Sequence, residues 1–159
     1  MKISEFRVQI KDVYKKHFPE SFVHVSHDKN LYNSIGISCC LAGGQDELSG
    51  GYWQNDMFHI SFSVDADGSE LPRNLGADDE LPEVLRLEKW HNSYAIKPEN
   101  KYLAFGREVV PYRRATGNAE KLVAAFDKFC GRLRNSIEQS VTDGKIHPDY
   151  AMIASQKLR

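Results

Sequence analysis

Leu122, Phe126, Phe129, Leu133 and Ile137 recur at steps of four, three, four and four. That spacing holds all five side chains on one stripe of a helix with 3.6 residues per turn. Asn118 stands where an N-cap is needed, with Gly117 before it to make the turn. A shorter stripe of Phe6, Ile10, Val13 and Tyr14 predicts a first helix capped by Ser4 and ended by Pro19, with Arg7, Lys11, Lys15 and Lys16 mostly off the apolar side. Between the helices the period changes to two. From Asp56 to Val64, Phe58, Ile60, Phe62 and Val64 alternate with Met57, His59, Ser61 and Ser63, which is the signature of a strand with one buried and one polar face. Ser21 to Ser26 and Leu31 to Leu41 are further extended runs. The second places Leu31, Ile35, Ile37, Cys39 and Leu41 on one face, and Asp28, Lys29 and Asn30 supply the turn between the two runs.

A half-polar strand suits an antiparallel sheet covered on one side by helices. The predicted fold class is therefore α+β: an N-terminal helix, a central antiparallel β-sheet and a long C-terminal helix packed on one face of the sheet. Val84 to Trp90, Ser93 to Ile96, Lys101 to Phe105 and Val109 to Arg114 are additional strand candidates. Residues 42–55, with Gly43, Gly44, Gly50 and Gly51, form a loop closed by Tyr52 and Trp53, and residues 65–82 form a second long connection. Residues 1–145 make one domain and residues 146–159 a tail, with no internal repeat.

Composition sharpens the picture only locally. The 159 residues carry a formal net charge of −1, so the chain as a whole does not attract a polyanion. The charge is nonetheless segregated. Between Asp65 and Glu83 seven acidic residues face only Arg73, whereas from Lys101 to Arg134 eight basic residues face Glu108, Glu120 and Asp127. Three cysteines, two of them adjacent, argue against a disulfide scaffold, and no stretch approaches the roughly 20 apolar residues of a membrane span. A charged amphipathic segment after Met1, where a signal core would be apolar, points to the cytoplasm.

The candidates for chemistry are sparse. His24 and His27 on one strand point to opposite faces and so cannot share an ion, even with His59, Cys39 and Cys40 nearby in sequence. His59, Ser61 and Ser63 lack an acid partner and an oxyanion turn. The glycine pairs lack the lysine and hydroxyl of a phosphate loop, and the calcium-loop echo of Asp65, Asp67 and Glu70 has no closing glutamate. No catalytic residue, metal or cofactor is expected, and the chain reads as a non-enzyme. The basic run is the candidate binding surface. It comprises Arg113 and Arg114, which diverge if they lie on a regular strand, and Lys128, Arg132 and Arg134 on the helix, where Lys128 and Arg132 are a like-charged i, i+4 pair. Tyr52 and Trp53 are the candidate aromatic anchors, and the acidic segment from Asp78 to Glu80 could form a second surface.

The run NDMFHISFSV (Asn55 to Val64), followed by YRRATGNAEKLVAAFDKF (Tyr112 to Phe129), resembles a pattern met in small phage and mobile-element proteins, including domains associated with large polyvalent phage proteins. Residues Ser4 to Phe18 match their first helix loosely. The resemblance implies an accessory protein of a mobile element that acts by binding a host or phage macromolecule; it transfers no site residue. Taken with the charge pattern, it makes a protein partner the leading expectation, with the chain as an inhibitor or modulator of a host complex. Nucleic-acid binding through the same basic patch and a purely structural homo-oligomer are the alternatives.

Overall fold

The computed structural model describes residues 1–19, 22–28, 33–40, 59–93 and 114–143. In chain order its elements are α1 (Ile3–His17), β1 (Phe22–Asp28), β2 (Ser34–Cys40), β3 (His59–Asp65), β4 (Leu85–Ser93), β5 (Ala115–Gly117) and α2 (Ala119–Thr142). The strands form one sheet in the order β1-β2-β3-β4-β5 with every neighbouring pair antiparallel. This is the α+β architecture that the periodicities predict. The tail, the whole 42–55 loop and the candidate strand at Lys101 to Phe105 lie outside the described residues, as do Tyr52, Trp53 and Arg113.

Alternation decides which face of the sheet the helices cover. Val23, Val25, Ile35, Ile37, Cys39, Ile60, Phe62, Val64, Leu85 and Leu87 are buried on one side. The Phe62 ring meets Phe126 and Phe129 of α2 nearly edge-on, at centroid distances of 5.4 and 5.2 Å, a preferred geometry for the aromatic quadrupole. α1 adds Ile3, Phe6, Ile10 and Tyr14 to the same core. Ser26, Ser38, Ser61, Ser63, Asp65, Arg86 and Glu88 hold the other set of positions in these strands, which makes that face the polar one.

Both helices run the same way. In an antiparallel meander the odd-numbered strands share a direction; α1 leads into β1 after four residues and α2 leaves β5 after Asn118 alone. Each helix must therefore fold back against an odd strand. The contacts agree: the α-amine of Met1 is attracted by Glu120 at the start of α2, and His17 at the end of α1 reaches Asp127. Two parallel helices bring two positive dipole ends together, and Glu5 and Glu120 in their first turns offset that charge.

Three local outcomes differ from the sequence-based expectations. α1 begins two residues earlier than a Ser4 cap would allow, with Lys2 at the N-cap. The reason is tertiary: the N–H groups of Ile3 and Ser4 donate to the carbonyls of Asp79 (3.1 Å) and Ala77 (2.9 Å), so the 66–84 connection supplies acceptors that a serine would otherwise provide. β4 is one continuous strand through Ser93, with a register shift against β3 between Ser61 and Phe62. Of the Val109 to Arg114 candidate only Arg114 is among the described residues, and it stands just before a strand, β5, where Ala115, Thr116 and Gly117 pair with Leu87, Arg86 and Leu85.

The 66–84 connection is irregular but anchored. Asn33, fully buried, donates from Nδ2 to the carbonyls of Leu71 (2.8 Å) and Pro72 (3.2 Å), and its Oδ1 lies 2.8 Å from Nε2 of His27. At the sheet's outer edge Arg7 donates from Nε (3.1 Å) and Nη2 (2.8 Å) to the carbonyl of Val25 in β1, which engages one acceptor of an edge strand.

Candidate binding surface

The surface is built on α2, and the β5–α2 corner places that helix. Gly117 has φ of +154°, a backbone conformation that L side chains rarely adopt, so the corner favours glycine. Asn118 follows as the N-cap, its Oδ1 accepting from the N–H of Lys121 at 3.0 Å and its carbonyl from Leu122 at 3.1 Å. With the start held, Leu122, Phe126, Phe129 and Leu133 face the core.

Charges on the rest of α2 sort onto two flanks. Steps of seven and eleven bring Glu120, Asp127 and Glu138 to the same side of the helix, and steps of seven and four bring Lys121, Lys128 and Arg132 to another. The acidic flank is engaged. Asp127 accepts from Nζ of Lys16 at 2.8 Å and contacts Nε2 of His17 at 2.5 Å, joining the end of α1 to the middle of α2. Hydrogen bonds from Lys16 first and His17 second hold its carboxyl below the ordinary carboxylate value. Glu138 accepts from Nε of Arg134 at 3.1 Å, one turn apart on the same helix.

The basic residues named from the sequence therefore meet different fates. Arg134 is paired with Glu138. Arg114, just before β5, donates from Nη2 to Oε1 of Glu88 at 3.0 Å, at the end of a chain of charges that crosses β3 and β4. In that chain Arg86 holds Asp65 through Nε (3.2 Å) and Nη2 (2.8 Å) and lies 3.4 Å from Glu88. These residues occupy the sheet's polar face, opposite the helices, so Arg114 shares no surface with α2. Lys128 and Arg132 are both exposed, and neither makes an ion pair with a described residue.

The other candidates for chemistry are occupied or separated. His24 is exposed and its neighbours Val23 and Val25 are buried, so it lies on the polar face, while His27 takes the opposite face and binds Asn33. Asp65 is held by Arg86 and by the N–H of Gly68 (2.8 Å), and Glu70 by Arg73 (2.7 Å). No group of three potential metal ligands occurs among the described residues. Burial, with the nearby Asp127 charge, pushes the Cys130 thiol well above its ordinary value, and a desolvated thiol is a poor nucleophile. Among the described residues no helix is long and apolar enough to cross a membrane.

Sequence reasoning singles out Lys128 and Arg132, which are exposed, but it misses the Asp127 joint and the Asn33 anchor. Asp127 carried one legible signal, its place next to the apolar stripe of α2; Asn33 carried none. No protein-family model, curated protein or solved structure matches this chain.

Proposed function

We propose that this protein is a non-enzymatic binding module that takes an acidic surface of a partner protein against the outer face of α2. The observation that carries it is the difference among the cations: Arg114 and Arg134 are neutralised within the chain, whereas Lys128 and Arg132 stand one turn apart, exposed and unneutralised by any described residue. Two like charges at i, i+4 cost a helix a few tenths of a kcal/mol, which an acidic partner would offset. The engaged state of Asp65, Asp127 and His27 supports a binding role over a catalytic one. The resemblance to mobile-element accessory proteins adds the kind of partner, a host complex that the protein inhibits or modulates.

The test is affinity capture with the wild type beside a Lys128→Glu, Arg132→Glu variant, at low and at high salt. A specific protein retained by the wild type and lost both from the variant and in high salt supports the assignment. Equal retention by both overturns it. Recovery of bulk nucleic acid, with a mobility shift on unrelated duplexes, would move the assignment to a phosphate backbone as the occupant of the same face.

A further inference from the structure

The unneutralised cations on α2 have a counterpart on the same chain. Asp78 and Glu83 are exposed and make no ion pair with a described residue. They belong to the connection tied to the end of the molecule where both helices begin, through Asp79 and Ala77 to α1 and through the pairing of Leu85 with Gly117 at the β5–α2 corner. Lys128 and Arg132 lie nine and thirteen residues beyond the first residue of α2, or roughly 14 and 20 Å along its axis at 1.5 Å per residue. That exceeds the Debye length of about 8 Å at physiological salt. The two charged surfaces thus lie apart, one beside the start of α2 and the other near its middle, and no ion pair joins them within one molecule. With a formal net charge of −1, two copies have almost no overall repulsion to overcome.

We infer that a second copy of this chain docks its Asp78 to Glu83 segment on the outer face of α2, forming a weak, salt-sensitive head-to-tail contact. The inference goes beyond the partner assignment above and gives the same face a second, competing occupant. The contact joins two different surfaces, so a dimer leaves one of each free and extends to a third copy as concentration rises. Self-docking would cover Lys128 and Arg132 until a more acidic partner displaces it.

Light scattering over a concentration series tests this with the whole chain. The wild type should show a mass above that of the monomer at low salt, rising with concentration and returning to the monomer at high salt. Two neutralised variants, Lys128→Gln with Arg132→Gln and Asp78→Asn with Glu83→Gln, should each associate about tenfold more weakly, as expected for the loss of two exposed ion pairs. Mixed in equal amounts they should stop at a dimer, because one intact α2 face and one intact acidic segment remain. A wild type that stays monomeric at low salt, or a mixture no larger than either variant alone, overturns the inference. Poly-glutamate binding separates the two ideas. The acid-neutralised variant should bind it as well as or better than the wild type, and the α2 variant should not. Self-association absent with poly-glutamate bound removes only the second copy, whereas self-association present with no poly-glutamate binding removes the acidic-partner assignment.

Discussion

On the inner side of α2, Leu122, Phe126, Phe129 and Leu133 are at most 2% exposed, and two of the rings meet Phe62 edge-on. On the outer side, Lys128 and Arg132 stand in solvent with no ion pair among the described residues. Both sets repeat at helical spacing, and both are conspicuous in the sequence. The difference is whether the fold has already used them. Every inner side chain has partners that only this tertiary structure supplies, whereas the outer pair contributes nothing visible to the fold and repels itself. A charge cluster marks a binding surface only after subtraction of the charges that the protein spends on itself, and that subtraction removes Arg114 and Arg134.

The sharpest way to break the contrast is to truncate one residue on each side. Phe126→Ala removes a ring that contacts Phe62 and leaves a cavity between α2 and β3, at a cost of about 3–5 kcal/mol. Lys128→Ala should stay within about 0.5 kcal/mol of the wild type. Urea unfolding read by circular dichroism measures both, and comparable losses would show that the outer face is structural. A polar side chain can belong to the inner class too. Asn33→Ala strips partners from the Leu71 and Pro72 carbonyls and from His27, and should cost about 1–3 kcal/mol in the same assay.

Asp127 sits between the two classes, on the flank where α2 meets α1, with a side chain 36% exposed. Its carboxyl is held below the ordinary value of 3.8 in the folded protein, by Lys16 first and His17 second. A depressed folded pKa contributes stability that is fully present above the unfolded value and is lost as pH falls through the folded one. Asp127→Asn should therefore cost less than about 1 kcal/mol near neutral pH, solvent screening keeping it small. The gap from the wild type should close below about pH 4. A gap that is unchanged down to pH 2 would mean that packing, and not the carboxylate's charge, makes the joint.

The legible parts of this fold are those whose cause is local. The α2 stripe from Leu122 to Leu133, its Asn118 cap and the alternation of β3 from Ile60 to Val64 each arise within a few neighbouring residues, and each appears as read; the side chain of Ile137 and residues 56–58 lie outside the described part of the chain. β5 is three residues long, too short to carry a period, and its described pairing is with β4 residues some thirty positions away. The start of α1 was misjudged for the same reason, since its acceptors come from Ala77 and Asp79. At the binding surface, the Arg134–Glu138 pair was readable from its i, i+4 spacing. The neutralisation of Arg114 was not, because Glu88 is 26 residues away and becomes adjacent only through the sheet. Nor was the Asp127 joint, whose partner His17 is 110 residues distant. Position along the chain shows where charge is; the fold decides which of it is left over.

The smallest expected effect bears most directly on that remainder. Arg132→Glu replaces a repulsive i, i+4 pair with an attractive one, and Lys128 before Glu is the weaker orientation, so the gain should be only about 0.3 kcal/mol. Residue 132 lies ten positions before the end of α2 at Thr142, beyond reach of the C-terminal dipole, which acts within the last turn. The substitution should thus raise the urea midpoint slightly while weakening capture of an acidic partner. Those two movements in opposite directions distinguish a residue retained for contact from one retained for folding. If Arg132→Glu lowers stability by more than about 1 kcal/mol, well outside the range for a solvated surface position, then Arg132 has a task within the fold, and the inner and outer sides of α2 no longer differ in kind.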